Sequence, residues 1–195
     1  MKIAIVAPET RPVPPVRGGA VQIYIDEVIR RLSRSHQITL FSPGGKRLGN
    51  PYGPHIRIIR VKRKKYIKRV RKKIKKTYYP IIHTFNRPHF VKKLHKAAPR
   101  SKHILNVHNL LGGRRRPGWR KGIRKTDFFI ANSHFTRRHA LRHFRIIRPN
   151  RIVTVHLGID PRKFIMKWNH PGRVEKLKRK WKVQGKKIVL FVGKI

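Results

Sequence analysis

Short apolar runs alternate along this chain with segments whose apolar residues return every three or four positions. Residues 2–7 (KIAIVA) form a strand-type run, followed by a loop carrying Pro12, Pro14, Pro15, Gly18 and Gly19. Val21, Tyr24, Ile25, Val28, Ile29 and Leu32 then mark one face of a helix. Further strands are predicted over 37–42, 55–61, 81–85, 103–107, 127–132, 151–155 and 187–192. Helices are predicted over 89–97, 134–144 and 172–181, and through 60–76, where Ile67, Val70 and Ile74 keep a narrow stripe. Residues 110–122, rich in glycine and arginine and lacking an apolar period, read as a loop. Strands of five or six residues alternating with helices predict an α/β class: a doubly wound parallel sheet with helices on both faces.

Composition leaves that fold standing and makes its surface unusual. Lysine plus arginine number 52 against six acids, a net charge of +46. A chain so charged attracts polyanions such as nucleic acid, anionic lipid or acidic polysaccharide, and it repels itself when folded. At 38% hydrophobic and periodic, it is still no disordered basic tail. Twelve of the seventeen residues 60–76 are Lys or Arg. Their helix reads either as a polyanion or membrane-surface helix or as the solvated outer face of an α/β layer. Without cysteine, disulfides, thiol chemistry and zinc–thiolate sites are excluded. No apolar run is long enough to span a bilayer. The start goes directly into a strand pattern, so no signal peptide is expected.

Candidate chemistry collects at strand ends. Ligands of open α/β sheets lie beyond the carboxyl ends of the strands. Gly18, Asn86, His108, Ser133 and Gly158 each follow a predicted strand and should therefore share one rim. Gly18-Gly19 at a helix start lets an anion approach backbone N–H groups, or is a plain turn into the helix. His108 is either a reacting-centre residue or one structural histidine of twelve. Asn86-Arg87 either lines the cleft or bridges loop backbones. Ser133 lacks a His–Asp partnership and reads as a helix cap. Asp26 and Glu27 are expected near a helix N-terminus, where carboxylates are favourable. There is no D-x-D and there are too few carboxylates for an oxygen-ligand metal cage, so no metal is expected.

Seven segments in order then resemble one family: MKIAIVAPE, PVPPVRGGAVQIYIDEVIRRL, FNRPHFVKKLHKAAP, ILNVHN, DFFIANSHFT, VHLGIDPRKF and VLFVGK. Together they look like the N-terminal half of a GT-B glycosyltransferase of the large retaining group called family 4, of spore-coat and lipopolysaccharide type. The resemblance implies two Rossmann-like domains facing a cleft, with the N-terminal one mostly on the acceptor side. By that likeness residues 1–185 are the acceptor-side domain and 186–195 the first strand of a donor-binding domain. Gly18 and Gly19 match the loop approaching the donor diphosphate, and Lys194 stands where the family usually has a diphosphate-binding arginine. His108 matches the histidine near the anomeric centre. Asn86, Arg87, Asn109 and Ser133 fall on the acceptor-side cleft. The implied substrates are a nucleotide diphosphate sugar and a glycan or lipid acceptor, with no separate cofactor. The implied place of action is the cytoplasm or the membrane periphery. Without the donor-binding half, little or no transfer is expected from this chain alone. The competing expectation is a cationic polyanion-binding protein on an inactive scaffold. It lacks helix-turn-helix, zinc-finger or RNP patterns, so its binding would be phosphate-driven and nonspecific.

Overall fold

The computed structural model describes residues 1–16, 18–44, 50–111, 118–159, 161, 171–189 and 191. They divide into two units, Met1–Leu157 and Gly158–Ile195.

The first unit holds seven strands: β1 (Lys2–Val6), β2 (Gln37–Pro43), β3 (Ile56–Val61), β4 (Ile81–Phe85), β5 (Lys102–Val107), β6 (Phe128–Ala131) and β7 (Ile152–Thr154). Its helices are α1 (Ala20–Leu32), α2 (Tyr66–Ile74), α3 (Pro88–His95), α4 (Trp119–Arg124) and α5 (His134–His143). The strands form one sheet in the order β3-β2-β1-β4-β5-β6-β7, and every neighbouring pair is parallel. The chain winds outward from β1 to β3, returns, and winds the other way from β4 to β7. The winding therefore reverses between β1 and β4, and a crevice opens beyond their carboxyl ends.

The alternation within β1 shows why it is central. Ile3, Ile5 and Ala7 pack into a cluster with Ile25 and Ile29 of α1 on one face. Ala4 and Val6 pack into another with Tyr66, Ile67, Val70 and Ile74 of α2 and Phe90 and Leu94 of α3. A strand buried on both faces has no polar positions to spend, and the sequence IAIV reflects that. A third cluster joins Leu105 and Val107 of β5 to Phe129 and Ala131 of β6, Trp119 and Ile123 of α4, and Ala140 of α5.

Several expectations need correction. Residues 110–122 are not all loop, because α4 begins at Trp119. Its apolar pair, Trp119 and Ile123, is too short to show a period. The helix forms because it lies directly on the turn that opens α3: a Cβ on Gly122 would sit 1.8 Å from the Pro88 carbonyl oxygen. Glycine costs about 1 kcal/mol in a helix interior, and here no other residue permits the approach. Asp26 and Glu27, in turn, are not at the start of α1, whose first turn carries no acid. They sit mid-helix and pair with Arg30 (3.2 Å) and Arg31 (2.6 Å) one turn on. Asp26 also accepts the Tyr52 hydroxyl proton in a hydrogen bond. The basic stretch 60–76 is helical only over α2, Arg60 and Val61 completing β3.

The second unit contains α6 (Pro171–Lys180), which buries no residue. Residues 187–189 carry no strand; 190 and 192–195, and with them Lys194, lie outside the described residues.

Candidate active site

The crevice at the winding reversal is organised by Asn86. It follows β4 directly and adopts a left-handed backbone, φ 51°, a conformation asparagine tolerates better than most residues. Its own N–H donates to the Asn106 carbonyl at 2.9 Å. Its side-chain Oδ1 accepts two backbone N–H groups from the loop after β5, those of His108 (2.7 Å) and Asn109 (3.2 Å). One amide oxygen thus holds the β5 loop against the β4 loop. From the other side, Asn132 Nδ2 donates to the His108 carbonyl at 3.1 Å. Asn132 Oδ1 accepts from the Thr136 hydroxyl (2.9 Å), and Ser133 caps α5 by accepting the Thr136 N–H (3.1 Å). Ser133 therefore bears on His108 through Thr136 and Asn132.

Arg87 spans the reversal itself. Its Nε donates to both oxygens of Glu9, at 2.9 and 3.1 Å, and a terminal nitrogen donates to the Asn86 carbonyl at 3.2 Å. It ties the loop after β1 to the loop after β4.

The His108 ring is enclosed by aromatics. The Tyr24 edge meets it at 4.7 Å between centroids, and Phe85 lies near-parallel at 6.1 Å. His83 stacks on the far side of this set, 4.5 Å from Phe85. Burial lowers His108 from 6.5 to about 4. Burial first, and the neighbouring His108 second, lower His83 to about 3. Both imidazoles are neutral near pH 7, so each has one donor and one acceptor nitrogen. Among the described residues, neither ring's buried Nε2 meets a hydrogen-bond partner.

Gly18 (φ 64°) and Gly19 (φ 117°) precede α1, and Gly19 is its N-cap. These left-handed backbones are open to glycine at little cost. The first N–H groups of α1 are orphans and a positive dipole end. Tyr24, five residues beyond Gly19, lies about 7 Å along the helix axis, so the start of α1 and the His108 ring belong to one neighbourhood. The structure thus brings together Asn86, Arg87, His108 and Asn109, with Ser133 behind them. Gly158 opens the second unit and is described with it. Tyr24, Asn106 and Asn132 escape a reading by pattern. Tyr24 looks like one more core residue of a helical stripe. The available signal for Asn106 and Asn132 is a polar side chain late in, or just after, an otherwise apolar strand. Among the described residues no three His, Cys, Asp or Glu cluster to hold a metal ion, and no helix is long and apolar enough to cross a membrane.

A parallel sheet with a winding reversal, a glycine turn at α1 and a polar hub beyond β4 and β5 defines a Rossmann-like α/β domain. The chain belongs to Glycosyltransferase Family 4, whose model matches residues 17–163. Spore coat protein SA of Bacillus subtilis (strain 168) is 32% identical over 203 aligned positions, covering all of this chain and 53% of that protein. The putative glycosyltransferase YtcC of the same organism is 28% identical, again over all of this chain and 49% of its own length. The chain spans about half the length of the curated relatives it matches. A glycosyltransferase from Rickettsia africae ESF-5 shares the fold, with a TM-score of 0.65 at 20% identity over 94% of this chain and 50% of that one.

Proposed function

We propose that this chain is the acceptor-side domain of a retaining glycosyltransferase that uses a nucleotide diphosphate sugar. The observation that carries the reading is the Asn86 hub, which holds His108 at the winding reversal as a neutral imidazole with an unmet Nε2. In the reaction, the bond from the anomeric carbon to the diphosphate oxygen breaks. A bond to an acceptor hydroxyl forms on the same face, and the hydroxyl proton passes to the departing phosphate. A neutral His108 can hydrogen-bond a sugar hydroxyl without adding positive charge, and can orient the donor sugar while its backbone stays fixed by Asn86. Gly18, Gly19 and the N-terminus of α1 offer N–H groups to the diphosphate as its charge develops. Asn86, Arg87, Asn109 and Ser133 shape the acceptor side, and Lys194 adds a cation to the diphosphate. The donor-binding half lies in a second domain, and the 195 residues alone transfer little or no sugar. Nucleotide diphosphate sugars are cytosolic metabolites, which supports a cytoplasmic or membrane-peripheral place of action. The charge of +46 adds nonspecific polyanion attraction that fades steeply with salt.

The test is ligand-observed NMR at elevated salt on the chain joined to its proposed donor-binding domain, with a panel of nucleotide diphosphate sugars and inorganic pyrophosphate. The reading expects signals that depend on base and sugar identity and disappear in His108→Ala. A response to pyrophosphate equal to that of every nucleotide sugar contradicts it.

A further inference from the structure

A groove of about 520 Å³ lies where the carboxyl ends of β2 and β3 meet α2. Arg60 and Lys62 line it from the sheet side, Arg69, Lys72 and Lys73 from the helix and Lys76 from the turn that follows it. No carboxylate lines it among the described residues. The groove begins beside the carboxyl ends of β2 and β3, at Gly44 and Val61, and runs along α2, and a contact from it toward the glycine loop is made by Arg60. Its guanidinium donates to the Val13 carbonyl (2.7 Å), in the loop leading to Gly18-Gly19, and to Ser42 Oγ (3.1 Å).

Two classes of polyanion fit this groove poorly. A bilayer needs an apolar helix face to embed, and that of α2 is already used: Tyr66, Ile67, Val70 and Ile74 are buried in the core, and the Tyr66 hydroxyl donates to the Phe41 carbonyl. Single-stranded nucleic acid is normally held by aromatic side chains on which bases stack, and no aromatic side chain lines the groove among the described residues. What remains is a concave, cationic surface with aliphatic stems along its walls, suited to a flexible chain of phosphates joined by small aliphatic units.

We infer that this groove seats the phosphodiester backbone of the acceptor, so that the sugar is transferred to a phosphate-linked polymer lying from α2 toward the crevice. The inference rests on the glycosyltransferase reading for the word acceptor, and on the groove alone for the binding.

The experiment measures binding of a labelled synthetic poly(glycerol phosphate) to the 195-residue chain by fluorescence anisotropy. The groove variant is K72Q/K73Q/K76Q. The charge-matched control is K92Q/K121Q/K125Q, which removes three lysines from the separate cleft between α3 and α4. Both change exposed side chains, or in Lys92 a partly exposed one. The groove variant should weaken binding about tenfold and the control less than about twofold. If about four phosphates are engaged, tripling the salt should weaken binding to the unsubstituted chain about twentyfold. Binding should also move the His108 ring resonances. Equal losses in the two variants would reduce the groove to general surface charge and overturn the inference. So would tighter groove-dependent binding of an oligonucleotide or of anionic vesicles. Unmoved His108 resonances would remove the acceptor role. A failure of nucleotide-sugar selectivity with groove-dependent binding intact would sink the enzyme reading and leave the groove standing as a phosphodiester site.

Discussion

In the middle of β4 and just past the end of β5, His83 and His108 sit among aromatic rings, uncharged, and amide side chains fix the backbone of His108. On α2, Lys68, Arg69, Lys72, Lys73 and their neighbours hold their charges in water, while the opposite face of the same helix is core. The first region is determined by packing and by hydrogen bonds that each have one geometry. The second is determined only by the requirement that the inward stripe be apolar. Basic residues can therefore accumulate on α2 with little effect on the fold, whereas the rim around Asn86 tolerates few changes.

The largest expected contrast lies in acid. The folded values of His83 and His108 sit below the unfolded value of 6.5. As pH falls, the unfolded chain takes up these protons first, so the stability they support is complete above pH 6.5 and is lost on the way down. For His83, whose window ends near pH 3, the loss is on the order of 4 kcal/mol. His83→Phe keeps the ring stack and should flatten that slope in urea unfolding followed across pH. Parallel slopes for the two proteins would show that His83 is not held neutral.

Gly122→Ala is next. Its methyl group must displace α4 from the Pro88 carbonyl, two residues from Asn86, at a cost of about 3 kcal/mol. Chemical denaturation measures the loss, and faster exchange of the His108 amide should accompany it. Asn86→Ala leaves the His108 and Asn109 N–H groups without their acceptor and places alanine at φ 51°, costing about 2 kcal/mol. Asn86→Asp keeps an acceptor oxygen and tolerates the left-handed backbone, and should retain most of the stability; equal losses would show that the acceptor oxygen is not what holds the loop. The smallest effect belongs to the other region. Lys72→Gln should change stability by no more than about 0.5 kcal/mol, and added salt should stabilise the protein by screening its self-repulsion. A loss of several kcal/mol would mean that α2 depends on that side chain.

Most of the sheet was legible in the sequence because buried parallel strands are largely apolar runs, as in IAIV. Helix α4 was not, since its formation depends on a contact with the turn at Pro88 that no local pattern encodes. Asn86 and His108 could be singled out as polar residues at strand ends. That Asn86 acts through two backbone N–H groups of another loop, and that Arg87 is paired with Glu9, required the three-dimensional register of β1, β4 and β5. Tyr24 was hidden by serving two purposes, packing in the α1 stripe and enclosing the His108 ring.

The most direct measurement is the imidazole ¹⁵N spectrum of His108 in the chain joined to its proposed donor-binding domain, taken across pH with and without a nucleotide diphosphate sugar. The account predicts a neutral ring down to about pH 4 and an Nε2 shift that moves when the sugar is added and not when pyrophosphate is added. A ring that titrates near its ordinary value and ignores the nucleotide sugar would contradict the assignment of this rim as the reacting centre.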